Sequence, residues 1–327
     1  MSARAVNAGA VSTGGRRLEI LAPGPLTTLQ DLGRPGWAHL GVTASGAADP
    51  PSLTLGNRLV GNPENTPALE TTFGGLRVRT RARGVVYAAL TGAPCPARLD
   101  GVRLGMNAPF AMADGQLLEL GVPTAGLRTY LAVRGGPDVP ATLGSRSADL
   151  LSGLGPPPLS AGDVLPLAPP TGTLPGVDLA PRADPPRDFV LRVVPGPRDD
   201  WFDRGSVAAL YGEVWEATSR GNRVAVRLAG PTLVRAREGE LPAEGMVRGA
   251  LQVPPNGQPI LFLADHPVTG GYPVIGVVHA ADLALAGQLP PGAAVRFRKT
   301  HRSPLIRTAH RSVQPPDPHS SPIGTAP

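Results

Sequence analysis

The sequence predicts a mainly β protein with few, short helices, and three observations carry that prediction. Glycine (42) and proline (40) are abundant among the 327 residues. Short runs rich in Val, Leu and Ile recur about every eight to fifteen positions with turn residues between them, the rhythm of strand-rich folds. Segments that read as helix are few.

Taken in order, the strand candidates are residues 85–90, 117–120, 129–134, 189–194, 224–228, 260–264 and 274–278. The first helix is predicted from Asp49, Pro50 and Pro51, an N-cap followed by proline in the first turn, and stops at Gly61. A second is expected over 280–288, after His279, and a third near Asp199, Asp200, Trp201 and Phe202. Residues 169–187 (PPTGTLPGVDLAPRADPPR) carry no apolar period and read as a linker. The chain thus divides into a disordered tail (1–17), a first β domain (18–168), the linker, a second β domain (188–301) and a second disordered tail (302–327). Three glycine turns leading into strands, at 112–120, 159–165 and 289–297, echo one another.

Composition narrows the function. The net charge is +6 and the pI about 10.3, yet aromatics make up only 4%, leaving few platforms on which bases could stack. The densest basic run, 77–83, alternates as a strand with one solvated face does. We therefore expect no nucleic-acid partner. No apolar run approaches the ~18 residues of a membrane span, and the N-terminus lacks a signal-peptide core, so no membrane association and a cytoplasmic location are expected. A lone Cys95 makes neither a disulfide nor a cysteine-based metal site and reads as a small buried apolar group. His301, His310 and His319 are too isolated for a metal site. Lys299 is the sole lysine, so the other cations are arginines, suited to fixed recognition of carboxylates and carbonyls.

Five segments could carry chemistry. In the first, Asp31, Arg34 and Asp49 lie among glycines between 29 and 49; either the three form a polar pocket, or Asp31 and Arg34 only pair with each other and Asp49 only caps a helix. In the second, Glu70 precedes a strand-like run and is a buried acid or an arginine partner. The third joins 128–136 (RTYLAVRGG) to a run from Leu143 in which Gly144–Ser145–Arg146–Ser147 offers hydroxyls, backbone N–H groups and a guanidinium to an anion. In the fourth, Arg223 and Arg227, four apart on a strand, would share a face and clamp a carboxylate or phosphate. The fifth joins Gln252 to Asp265, His266, Thr269, Gly270, Gly271 and Tyr272, a loop on a rigid sheet in which Asp265 could act as base or orienting acceptor and Tyr272 as donor. His266 is a tempting base, although neighbours on a strand face opposite ways.

These segments, in this order, resemble the family of 5-oxoprolinase C subunits, also called KipA or allophanate hydrolase subunit 2, which overlaps the biotin-dependent carboxyltransferases. The marks are 30–36 (QDLGRPG), 144–147 (GSRS), 249–254 (GALQVP) and 269–273 (TGGYP), within a resemblance spanning about 18–297. It implies two cyclophilin-like β-barrel domains. It also implies a complex with the KipI-like B subunit and the A subunit of 5-oxoprolinase, which opens 5-oxoproline, a small-molecule amide, to glutamate using ATP. On that reading Asp265 and Tyr272 are catalytic, while Arg223, Arg227, Thr269, Gly270, Gly271, Gln252, Arg34, Glu70 and Arg146 bind substrate. The alternatives are a carboxyltransferase component of a biotin-dependent urea or amide carboxylase, with biotin carried by another chain, or a KipA-like regulatory binding protein. Two departures stand out: Pro267 and Val268 replace polar residues before Gly-Gly-Tyr, and Val224–Ala225 follows Arg223 where the family often has Met-Gly.

Overall fold

The structure, a computed structural model, describes residues 15–300. The second predicted tail and His301, His310 and His319 lie outside the described residues, as do residues 1–14 of the first tail. The end of that first tail corrects the prediction. Arg17–Pro23 is a strand, and the Arg16 guanidinium donates to the carbonyls of Arg134 (2.8 Å) and Ala168 (3.3 Å).

The protein is mainly β, as predicted. The first half packs two antiparallel sheets over one core. One runs in the order Val164–Pro166, Arg17–Pro23, Leu76–Arg81, Leu117–Leu120, Ala97–Leu99, Val102–Leu104. The other runs Leu26–Gln30, Ala68–Thr72, Arg128–Val133, Val86–Gly92, Pro109–Met112. Alternation sets the faces of Leu76–Arg81. Leu76, Val78 and Thr80 are buried, while Arg77 and Arg81 turn outward to Glu119 and Glu19. Arg128–Val133 is buried at every position. Both its faces are covered, because helix α1 (Pro50–Leu59) lies across it and Val86–Gly92. Gly56 permits that approach: a Cβ there would sit 3.0 Å from the Ala132 Cβ. Cys95 is buried in the first core, and burial pushes its thiol pKa up.

The second half closes into a seven-stranded barrel, in the order Phe189–Pro195, Val274–Val278, Ala250–Gln252, Ile260–Phe262, Ala225–Ala229, Val214–Ala217, Ala294–Lys299. The parallel pairing of the first and last strands completes the ring. Trp215 is fully buried inside, and Gly230 leaves room for its ring. The predicted third helix begins a few residues late. A 3-10 turn at Asp199–Trp201 precedes α2 (Arg204–Gly212), because Asp203 supplies the cap by accepting from Ser206 N at 2.6 Å. The second predicted helix splits into a 3-10 turn, Ala280–Asp282, and the short α3 (Leu283–Ala286).

The three sequence echoes are one device. In each, a backbone N–H closes on the carbonyl three residues earlier (Gln116 to Ala113, Asp163 to Ser160, Ala293 to Pro290), and the glycine between them has φ of 80°, 92° and 79°. That is the type II requirement for positive φ at the third turn position. The predicted linker holds no strand, but it is fastened. Arg134 grips the Gly172 carbonyl (2.7 Å), Ala180 N bonds the Asn107 carbonyl (2.8 Å), and Arg182 bonds Ser52 Oγ (2.6 Å). Among the described residues, no helix is long and apolar enough to cross a membrane.

Candidate functional site

Where the two halves meet, four charged side chains are withdrawn from water. Strand register groups two of them, Glu70 and Arg128, with Tyr130. Tyr130 pairs opposite Glu70, and Arg128 stands two residues before Tyr130, so all three share a sheet face. From the barrel half come Arg223, which is 0% exposed, and Asp265, also 0%. Arg223 holds Asp265 in a two-pronged grip, Nε to Oδ2 and Nη2 to Oδ1, each 2.9 Å. Its Nη1 reaches Glu70 Oε1 across the seam, and its Nη2 also donates to the Gly46 carbonyl at 2.5 Å. Glu70 Oε2 accepts from Tyr130 Oη (2.7 Å) and Ala48 N (2.9 Å), and Arg128 Nε lies 3.5 Å from Oε1. Asp265 further accepts from Ser45 Oγ (2.7 Å) and Leu150 N (3.0 Å).

The seam's electrostatics follow from this packing. Burial alone would raise the Glu70 pKa, but the Arg223 and Arg128 guanidiniums and the two hydrogen bonds outweigh it and hold the carboxyl below the usual range. Burial would likewise weaken Arg223, yet Glu70 and Asp265 push its pKa up. Burial, then the charge of Glu70, raises the Tyr130 pKa well above a free phenol's. Around the edge, Gln288 bonds Asp49 Oδ2 (2.9 Å) and the Arg128 backbone, and Arg248 donates to the carbonyls of Ala47 and Ala48. Asp49 also caps α1 as predicted, accepting from Ser52 N at 3.1 Å.

Two expectations are corrected here. Arg223 and Arg227 do not form a clamp: Arg223 is fully buried, whereas Arg227 is exposed on the barrel wall. The strand starts only at Ala225, because the Asn222 side chain accepts from Val224 N (2.8 Å) and Ala225 N (3.2 Å) and turns the chain before it. Nor is Asp265 free to act as a base. Two Arg223 nitrogens, a hydroxyl and a backbone N–H occupy its roughly four acceptor positions. Glu70 is the arginine partner that was one of its two readings.

The 144–147 run does bind an anion, but an internal one. Asp31 accepts from Ser145 Oγ and Ser147 Oγ (2.6 Å each), Arg146 N (2.6 Å) and Gly33 N (2.8 Å). Its serines therefore do not offer themselves to a substrate anion. The Arg146 guanidinium bonds the Val139 carbonyl (2.7 Å). Arg34, 1% exposed, donates to the carbonyls of Thr142 (3.3 Å) and Ser147, so it shares the loop with Asp31 and makes no ion pair with it among the described residues. This knot leads into the seam, since Ser45 Oγ also donates to the Ala148 carbonyl (3.2 Å).

Beyond Asp265 the chain opens to solvent. Thr269–Gly270 pairs with Glu244–Gly245, and Gly270 faces Gln252, where a Cβ would sit 2.6 Å from Nε2. Gln252 Nε2 holds the Tyr272 carbonyl at 3.1 Å, and the Arg235 guanidinium lies 5.8 Å from the centre of the Tyr272 ring. Tyr272 is 45% exposed. The predicted site residues thus fall into three sets: a buried seam (Glu70, Arg223, Asp265), an adjoining knot (Arg34, Arg146) and an open loop (Gln252, Thr269, Gly270, Gly271, Tyr272). Arg227 stands apart. Sequence reasoning gave no role to Ser45, Arg128 and Tyr130, although they lie in the singled-out segments, and missed Arg248 and Gln288. Arg128 and Tyr130 could have been found from strand alternation opposite Glu70; the others are joined only by the fold.

Comparison with known proteins places this architecture. Residues 40–299 match the family described as carboxyltransferase domain, subdomain A and B. The chain belongs to that family. It is 40% identical to the C subunit of 5-oxoprolinase from Escherichia coli (strain K12) over 287 residues, covering 86% of this chain and 90% of that one. Among solved structures, TTHA0988 superposes with a TM-score of 0.79 at 36% identity over 87% of this chain, and the K. lactis urea amidolyase with 0.80 at 30% over 88%. The chain spans 56% of the length of TTHA0988 and 19% of the amidolyase.

Proposed function

We propose that this chain is the C subunit of an ATP-dependent 5-oxoprolinase, hydrolysing a small cyclic amide to glutamate within a complex that includes A and B subunits. One observation carries the reading: the alignment with the E. coli C subunit runs along 90% of that protein, so the likeness is to an entire polypeptide. The geometry supports a division of labour. The buried seam fixes the backbone at 45–49, 150 and 265, while the loop from His266 to Tyr272 presents polar groups to a substrate. The Tyr272 hydroxyl and Thr269 are the donors offered to an amide carbonyl or carboxylate.

In this reading the nucleotide is held by the partner subunits or at an interface with them. A cytoplasmic setting fits this chemistry. A second reading, carboxyl transfer, is favoured by the family description and by the amidolyase structure. In it, biotin arrives on another chain, and the same loop holds the acceptor amide.

The test is co-expression of the chain with its A and B partners, purification of the complex, and measurement of glutamate formed from 5-oxoproline and ATP. Stoichiometric glutamate and ADP are expected. An assembled complex that forms none, yet carboxylates an amide when given carboxylated biotin, sinks the oxoprolinase reading in favour of the second.

A further inference from the structure

His266 lies between two anchored points of the chain. Upstream, Asp265 is pinned by Arg223, Ser45 and Leu150, and its own N–H bonds the Arg223 carbonyl at 3.1 Å. Downstream, Met246 N bonds the Val268 carbonyl (2.8 Å), and Thr269 pairs with Gly245. The imidazole is half-buried between these anchors, and its Nδ1 lies 2.8 Å from the Pro267 carbonyl. A carbonyl oxygen only accepts, so Nδ1 carries the hydrogen and Nε2 the lone pair. Among the described residues, Nε2 has no hydrogen-bond partner.

We propose that His266 is the general base of this site, with Nε2 accepting the proton of the nucleophile that attacks the substrate carbonyl. The proposal rests on the amide-hydrolysis reading above. In the step, a water oxygen pair forms the C–O bond, and the carbonyl π pair moves to its oxygen while Nε2 takes the water proton. The oxygen pair then re-forms the carbonyl as the C–N bond breaks with its pair on nitrogen, which receives the proton back from His266, while ATP hydrolysis in the complex supplies the drive for opening the lactam. Water and amide become acid and amine, and the ring nitrogen ends as it began. The charged groups around the ring are Asp265 before it, Asp149 from the 149–152 turn, and Arg248 from the stretch leading into Ala250–Gln252. Burial and then Arg248 disfavour the imidazolium, outweighing the Pro267 carbonyl and the two aspartates, so the His266 pKa is lowered and the neutral ring is favoured. Pro267 sets this geometry, because its carbonyl fixes the tautomer and its ring limits the chain at that point.

The experiment uses the purified complex with the His266→Gln and His266→Ala variants. Glutamine keeps polar atoms near Nε2 but takes up no proton at neutral pH. We expect kcat to fall at least ~100-fold in both, with KM changed less than about threefold, and added imidazole to restore part of the His266→Ala rate. The wild-type acid limb, below pH 6.5, should vanish in the variants. Variants with kcat within threefold of wild type, or with the acid limb retained, overturn the proposal. An independent arm measures the isolated full chain by nitrogen-15 NMR. A ring that titrates below 6.5 with hydrogen on Nδ1 supports the base, and the opposite tautomer or a pKa above 6.5 overturns it. If the wild-type complex makes no glutamate, the function reading above fails, and the NMR arm still judges His266.

Discussion

The seam and the loop that leaves it are neighbours built on opposite terms. Asp265 is 0% exposed and has four donors on its carboxylate; Tyr272, seven residues on, is 45% exposed and is held through its backbone and the face of its ring. A buried charge whose bonds are all satisfied can position but has no valence left for a substrate. An exposed hydroxyl on a pinned loop has the reverse property. The contrast separates residues that look equally functional in sequence: Arg223 is fully bonded inside the frame, whereas Tyr272 keeps an exposed hydroxyl.

The largest expected effect tests the frame. Arg223→Met removes the cation shared by Glu70 and Asp265 and leaves two carboxylates buried without it. Breaking a buried pair in this way costs about 3–5 kcal/mol. Urea unfolding of the full chain should show a loss of that size, and adding Glu70→Gln and Asp265→Asn to the same chain should recover part of it. A loss under about 1 kcal/mol would mean that water reaches the seam and that the two regions differ less than the packing indicates.

The second prediction concerns pH. The Glu70 carboxyl titrates below the range of a free glutamate because the folded state favours its charged form. The unfolded chain therefore binds the proton first as pH falls, and the stabilisation is present above about 4.5 and lost as pH drops through the folded value. Midpoints measured from pH 7 down to 3 should fall steeply below about 4.5 in wild type and less steeply in Glu70→Gln. Equal slopes would show that Glu70 is not held by Arg223 and Arg128.

Much of this fold could be read from the chain. The segment Leu117–Leu120, the cap at Asp49 and the three type II glycine turns follow from local chemistry, which the sequence displays directly. The two halves differ in closure, one a barrel and one a pair of sheets, and no local pattern distinguishes them. The site was legible in its residues more than in their roles. Gly-Ser-Arg-Ser does bind a carboxylate, but the carboxylate is Asp31, 114 positions away from Ser145. Arg223 and Arg227 keep strand spacing, yet a single Asn222 side chain ends the alternation between them. Seam partners such as Glu70 and Arg223, 153 residues apart, meet only because the two halves dock. Long-range pairing of this kind is set by tertiary packing, which spacing along a chain does not encode.

The smallest structural effect should accompany the sharpest functional split. Tyr272→Phe deletes one exposed hydroxyl and keeps the ring against Arg235, so the unfolding midpoint should stay within experimental scatter, as for most exposed substitutions. If that hydroxyl meets the substrate, kcat/KM of the complex drops about fivefold, the worth of one ordinary hydrogen bond of ~1 kcal/mol. Arg227→Ala serves as the matched control. Arg227 is also exposed and was also predicted to bind substrate, yet it sits on the barrel wall away from the loop. It should leave both stability and kcat/KM unchanged. Should Arg227→Ala cripple turnover while Tyr272→Phe does not, the working face lies on the barrel wall, and the loop beyond Asp265 serves only to finish the fold.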